Sequence, residues 1–583
     1  MDTIKSFKGY GKVDETEEAA FQKKVKKRII IISISAIILF AVIISTVAGV
    51  LLTRDNGGDI DKPSSSSPSQ SLKVVCSVTQ YPDTCFSSLS PLTSNSTSIN
   101  PTNLFSLSLQ VAKHSVSDLR SILPKDTNDT VLAKGLKDCG ELFDDSEDQL
   151  GESLLSLSNS NKKSDNDLRT WLSAVLTNLE SCVDGVSEIN GTASLVEDLR
   201  LKMKNSTELV SNSLAIVSKI GTILGKFKNS NSIKVPKSFH LRKLLEYGSD
   251  QMFPDWVGPA ERRLLLGEEA MGPGADAVVA KDGSGQYKTI TEAIKAVTLK
   301  SKKRYVIYVK EGVYEENVVM GKHVWNVMMY GDGMDKSIVS GHLNFIDGTP
   351  TFSTATFAIA GRGFIAKDMA FKNTAGAEKH QAVAFRSQSD QSIYYRCLFD
   401  GYQDTLYAHS YRQFYRECTV TGTIDFIFGN AAVVFQNCNI QPREPLPKQF
   451  NTITAQGRKD LNQNTGISIQ KCTISGLGQV TAPTYLGRPW QQFSTTLIMQ
   501  SIIGPVLHPS GWVGWVNGVE PPSTIYYAEY QNTGPGADIS KRVTWAGFKP
   551  EITADEASKF TVGNFIDGSS WLASTDVAFD TAL

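Results

Sequence analysis

Hydrophobic and polar positions follow three patterns along this chain, and each predicts a different kind of element. Residues 29–52, "IIIISISAIILFAVIISTVAGVLL", are uncharged and apolar on every face. At ~1.5 Å per residue such a run crosses a bilayer core of ~30 Å, so a membrane-spanning helix is predicted there. From Val74 to about Gly225 apolar residues recur at three- and four-residue steps, as in "NLFSLSLQVAKHSVSDL" and "DLRTWLSAVLTNLESCVDGV". That is the period of amphipathic helices, and a bundle of about four is predicted. From roughly Ala275 short alternating runs rich in Gly, Asn, Thr, Val and aromatics take over, which is strand texture.

The strand-rich part repeats itself. "YYRCLFDG", "FYRECTVTG", "VFQNCNIQP" and "SIQKCTISG" carry Cys397, Cys418, Cys438 and Cys472, spaced 21, 20 and 34 residues apart. A period near 20 in strand sequence predicts the coils of a β-solenoid, with the long last gap absorbed by a loop over Arg443–Asp460. Residues one coil apart stack at ~4.8 Å. Cys418 then lies against Cys438, and a disulfide is expected between them, the alternative being a ladder of buried thiols.

The same arithmetic lines up polar residues. Asp425 stands among Ile424, Phe426, Ile427 and Phe428, where an unpaired carboxylate would be costly to bury. Asp404 precedes it by 21 residues, Gln403 is beside Asp404, and Gln381 precedes Gln403 by 22. One wall of the solenoid is therefore expected to carry Gln381, Gln403, Asp404 and Asp425, with alternation sending Ile424, Phe426 and Phe428 to the opposite face. Two neighbouring carboxylates push their pKa values apart, which supplies an acid and a base or nucleophile at one pH. Arg488 in "LGRPW" can fork onto the ionised member, and glutamine amides can donate to a developing oxyanion. These are parts for acyl transfer without serine. Purely structural Asp ladders also occur in solenoids.

Charge and punctuation divide the rest. Formal net charge is −1, so no bulk electrostatic attraction to nucleic acid is expected. "KKVKKR", Lys23 to Arg28, precedes the apolar run and places the N-terminus in the cytosol, with everything after Leu52 outside. Asn95, Asn128, Asn190 and Asn205 begin glycosylation sequons, and none follows. Cys76, Cys85, Cys139 and Cys182 lie in the helical region; chain order suggests Cys76–Cys85 and Cys139–Cys182 among three possible pairings. "RKLL" (Arg242 to Leu245) and "RRLL" (Arg262, Arg263, Leu264, Leu265) stand in a basic linker and read as processing sites. The resulting division is a basic tail (1–28), a signal anchor (29–52), a flexible linker (53–73), a helical bundle (74–228), a processing linker (229–268) and a solenoid (269–583).

At this point "GVYEENV", "HQAVAFR", "GYQDTLYAHSYRQFYREC", "GTIDFIFGNAAVVFQ" and "YLGRPW" are similar, in order, to the signature blocks of plant pectin methylesterases, over about Asp276 to the C-terminus. The N-terminal half resembles the inhibitor-like pro region that many of them carry, including its four cysteines and "RRLL". The resemblance implies a right-handed parallel β-helix acting on pectin in the cell wall, reached through the secretory pathway from a membrane-anchored precursor cut by a processing protease. Asp425 would be the nucleophile, Asp404 the proton donor and later base, Gln381 and Gln403 the oxyanion donors, Arg488 the group that orients Asp425, and Trp490 a sugar platform. Thr351 corresponds to a substrate-contacting threonine, on flanks that depart from the family block. Tyr407, Trp512 and Trp515 are further candidates for sugar stacking. No cofactor or metal is expected: the chain has no Gly-x-Ser-x-Gly elbow and no His-Glu-x-x-His pair. The rival readings are another polysaccharide-active solenoid, a lyase or hydrolase, and a protein acting chiefly as an inhibitor through its bundle.

Overall fold

The computed structural model describes residues 68–93, 101–158, 164–220, 274–573, 575 and 577–583. The anchor at 29–52, Asn95 and the dibasic sites, including Arg262–Leu265, lie outside the described residues. No described helix is long and apolar enough to cross a membrane.

Among the described residues the helical period resolves into six helices: α1 (Pro68–Cys76), α2 (Pro82–Thr93), α3 (Pro101–Ser117), α4 (Thr130–Ser158), α5 (Asp165–Ser187) and α6 (Ala193–Ser218). The last four are long and form the bundle. Ser164 caps α5, its hydroxyl accepting from the Asp167 backbone while the Asp167 carboxylate accepts from the Ser164 N–H. Disulfides Cys76–Cys85 and Cys139–Cys182 join α1 to α2 and α4 to α5. Helix α5 is unusual in being buried on nearly every side, from Leu168 to Val186. One stripe faces the bundle, and the rest faces the strands.

Strands run in a fixed rotation through three all-parallel sheets of 11, 8 and 7 strands. Each complete circuit adds one rung to every sheet, and the circuits at the two ends are incomplete, so this part of the chain is a parallel β-helix, right-handed as nearly all parallel crossovers are. Side chains pointing inward stack into a column of apolar and aromatic rings, including Phe357 on Phe385 and Tyr394 on Tyr415. A left-handed residue closes successive strands of the 11-stranded sheet: Asp368, Arg396, Glu417, Asn437, Lys471, Gln500 and Gln531 all have positive φ. The next residue turns inward, which aligns Met369, Cys397, Cys418, Cys438, Cys472 and Ser501 in one column.

That column corrects the expected Cys418–Cys438 bridge: all four solenoid cysteines are buried free thiols. Stacked cysteines in like rotamers point the same way, whereas a disulfide needs the two Cβ–S bonds turned roughly 90° apart. The Cys418 thiol instead donates to the backbone oxygen of Tyr394 at 3.3 Å. The segment Arg443–Asp460 also differs from the expected loop. It contains the strand Asn451–Gln456, paired with Ile427–Gly429 on one side and Thr484–Gly487 on the other.

Candidate active site

Asp404 and Asp425 both adopt left-handed backbone conformations, with φ of 61° and 51°. Asp tolerates this region better than most residues. Each stands two residues ahead of a strand, and those strands pair Leu406 with Ile427. The two carboxyl groups therefore occupy the same station on adjacent rungs, tied by the Asp404 N–H donating to the Ile424 oxygen at 3.0 Å. Gln403 precedes Asp404, and its backbone oxygen accepts from Ala382, next to Gln381. All four side chains are buried.

Their surroundings separate the two acids. Arg488 lies two rungs on, through the pairs Ile427–Thr454 and Thr454–Gly487. Its Nε donates to both oxygens of Asp425 at 2.9 and 3.1 Å, and its Nη2 to Oδ2 at 2.6 Å. The Thr452 hydroxyl donates to Oδ1 of Asp425 at 2.6 Å and accepts from its backbone N–H at 2.8 Å. Asp404 has no such company: its Oδ1 lacks a hydrogen-bond partner. Burial, and then the neighbouring charge of Asp425, hold the Asp404 carboxyl well above the usual carboxylate range. One acid is clamped by a cation and its neighbour favours the protonated form.

The expected alternation around Asp425 holds only in part. Phe426 and Ile427 enter the interior, but Phe428 lies on the outer face, stacked on Tyr407 with ring centres 4.1 Å apart. The left-handed residue at Asp425 breaks the period, so the strand resets after it. Trp490 is half-buried and stacks on Trp515 at 6.3 Å, while the Arg488 guanidinium lies 4.3 Å from the Trp515 ring. A Cβ at Gly457 would stand 2.9 Å from Trp490, so that glycine admits the indole. Trp512, a stacking candidate in sequence, is core instead: 1% exposed, with its indole N–H donating to Glu529. Thr452 escaped the sequence reading because its segment was taken for a loop; the alternation in "NTITAQ" was the available signal.

The outer face beside these acids is covered by the bundle. Thr351 donates its hydroxyl to Glu188 at 2.7 Å, Ser353 to Asp138 at 2.7 Å, and Arg412 an Nη2 proton to Asp167 at 2.7 Å. Ser181 bonds His409 at 2.9 Å, and Lys322 pairs with Asp148 at 2.7 Å. Phe352, Val383, Tyr407 and Phe428 share one apolar cluster with the bundle core. A cavity of about 310 Å³ remains between Tyr407 and Trp490 on one side and Glu180, Asp184 and Arg200 on the other. Of the sequons, Asn128, Asn190 and Asn205 are exposed on the bundle.

The family model described as Pectinesterase matches residues 276–569, half of the chain, and holds both acids. The chain belongs to the pectinesterase family. A second model, Plant invertase/pectin methylesterase inhibitor, matches residues 70–216. Pectinesterase 3 of Phaseolus vulgaris is 55% identical over the full length of both chains, and Pectinesterase 1 of Arabidopsis thaliana is 51% identical over 99% of both. Among solved structures, a pectin methylesterase from carrot is 51% identical with a TM-score of 0.53, covering 54% of this chain and all of its own. The protein is thus a carboxylic ester hydrolase that removes methyl groups from pectin, built with an inhibitor-like helical region ahead of the pectinesterase domain.

Proposed function

We propose that the pectinesterase reaction here runs through a covalent acyl-enzyme, a mixed anhydride on Asp425, with Asp404 moving the protons. A carboxylate oxygen of Asp425, oriented by Arg488 and Thr452, attacks the ester carbonyl carbon of a methylated uronate. The carbonyl electrons move to an oxyanion held by the amides of Gln381 and Gln403. As the tetrahedral species collapses, the C–OCH3 bond breaks and Asp404 gives its proton to the departing methanol. Asp404, now charged, takes a proton from water, which attacks the acyl-enzyme; the product carboxylate leaves and Asp425 is restored. Trp490 offers a platform to a sugar ring and Thr351 a polar contact to the chain. The observation carrying this reading is the asymmetry of the acid pair. Methanol release from methylated pectin by the segment starting near Leu266 tests it, and wild-type turnover by Asp425→Asn would end the nucleophile assignment.

The bundle is read as a restraint on this site. Glu188 sits on Thr351 and its charge is felt at Asp404, so an acid of the pro region stands where substrate would lie. A secretory processing protease cutting near Arg262–Leu265 would release it, and residues 29–52 would hold the precursor at the membrane on its way to the cell wall. Equal specific activity before and after cutting would remove the restraint. The face that the bundle lays on this cleft favours a second role, inhibition of other pectinesterases in trans, which the released bundle mixed with such an enzyme would reveal.

A further inference from the structure

The corner that joins the 7-stranded sheet to the 11-stranded one gathers cations at its first rungs, around the turn between the strands Val318–Met320 and Val327–Gly331. Residues 300–301, 322–326 and 362–363 meet there. The Lys300 N–H donates to the His323 oxygen at 2.7 Å and the Asn326 N–H to the Arg362 oxygen at 2.9 Å. The Asn326 side-chain amide donates to the Ser301 oxygen at 2.9 Å. Trp325 stands in the middle, half-buried, its indole N–H donating to the Lys322 oxygen at 2.8 Å. The Arg362 guanidinium lies 3.7 Å from the centre of the indole and the Lys300 ammonium 5.8 Å. Lys302 and Lys303, exposed, follow Lys300 on the same turn.

Among the described residues no solenoid carboxylate pairs with Lys300, Lys322 or Arg362; the acids that answer this corner belong to the bundle. Lys322 pairs with Asp148 at 2.7 Å and with Asp145 at 3.3 Å, and the His323 Nε2 lies 3.6 Å from Asp148. Lys300 also acts on Asp148 electrostatically. Like charges gathered on one surface without internal partners raise a positive potential that draws anions, and here two carboxylates already sit at its edge. The corner is separate from the cleft. Val318 pairs with Phe357, Phe357 with Phe385 and Phe385 with Leu406, so Lys322 lies three rungs from Asp404, about 14 Å, and past the opposite ends of the strands.

We propose that this corner is a second binding site, outside the catalytic cleft, for a run of free uronates. Lys300, Lys322 and Arg362 take the carboxylates, Lys302 and Lys303 extend the track, and the Trp325 indole packs against a sugar ring. The pectinesterase activity supplies the ligand, because each methyl group removed leaves a carboxylate on the polymer. The site tethers the enzyme to de-esterified polymer whichever ester is being cleaved. The bundle, whose Asp145 and Asp148 occupy Lys322, keeps polymer from that edge until it leaves. The roles of the acid pair and this site fail separately: the first is read as turnover, the second as retention on a polymer.

The test uses the pectinesterase domain freed from the bundle, whose carrot counterpart is complete at that length. Wild type and a triple variant, Lys300→Gln with Lys322→Gln and Arg362→Gln, are passed at rising salt over immobilised polygalacturonate and over fully methylated pectin. Their kcat/KM is measured on methylated oligomers too short to reach both the acids and the corner. The wild type should bind polygalacturonate in a salt-sensitive way, and the triple variant about tenfold more weakly. Turnover of the short oligomers and affinity for methylated pectin should not change. Lys302→Gln with Lys303→Gln, at two exposed positions, should give a smaller loss on polygalacturonate and keeps the test decisive if the triple variant does not fold. Undiminished retention of the variants, an equal loss of turnover on short oligomers, or the same loss on methylated pectin would each overturn the proposal.

Discussion

The bundle and the solenoid are held together by opposite means. The bundle closes on itself with two disulfides and amphipathic helices, and its faces carry acids towards its neighbour: Asp138, Asp145, Asp148, Asp167, Glu180 and Glu188. The solenoid has no disulfide among its described residues and repeats one rung of parallel hydrogen bonds, answering those acids with Lys322, Arg412 and Lys459. A small helical unit needs covalent staples because few of its contacts span the chain. A ladder gains each rung from the one before it and needs none. The contrast also divides the two structurally, since the solenoid carries the stacked acid pair and the bundle carries what covers that face.

The strongest way to break this division is chemical. In the freed pectinesterase domain Asp425→Asn should lower methanol release on the order of 10⁴-fold while pectin binding survives, because an activated nucleophile acts as a unit with its partners. Comparable activity would shift the chemistry elsewhere. Next in size is the staple. The Cys139–Cys182 bridge closes 43 residues, so replacing both cysteines with serine should destabilise the bundle by about 4 kcal/mol on the chain-entropy account. Thermal melting checks it, and thiol titration of the denatured chain should count four free thiols if the solenoid ladder stays reduced.

Smaller again is the gain on cutting the linker, expected on the order of a hundredfold in methanol release, the upper range of coupling between two sites. Smallest is its pH dependence. Burial at the interface raises Asp138 and Asp145 to about 6 and Glu188 to about 7. A carboxyl raised by docking takes up a proton on docking. The contribution is therefore complete below the unperturbed carboxylate range and is lost as pH rises through 6 to 7. Asp148 works the other way, since Lys322 outweighs its burial and holds it low. Inhibition of the cut enzyme by its released bundle should weaken between pH 5 and 7.5, and Glu188→Gln should flatten the profile. Stronger inhibition at the higher pH would contradict the raised carboxyls.

Much of the site was legible because a solenoid converts sequence spacing into spatial neighbourhood. The 21-residue step from Asp404 to Asp425 is one rung, and the structure sets the two acids at the same station. Spacing failed where the period was interrupted. The strand Asn451–Gln456 hid inside a long insertion, and with it Thr452, which holds Asp425 from the next rung. Phe428 was assigned to the wrong face because alternation does not pass through a left-handed residue. Arg386 was not singled out in "HQAVAFR", yet in the structure it is buried, with its guanidinium over the Phe352 ring.

By itself the sequence determined the order of the parts, the helical and strand periods, the rung length and the identity of the acid pair, since all of these are local patterns or fixed steps along the chain. Only the tertiary structure decided which acid Arg488 clamps, that the cysteine column stays unbridged, and that α5 lies across the cleft. Those outcomes depend on side-chain direction and on contacts between distant segments, 63 residues apart for Arg488 and Asp425 and 228 for Ser181 and His409, which no local period encodes.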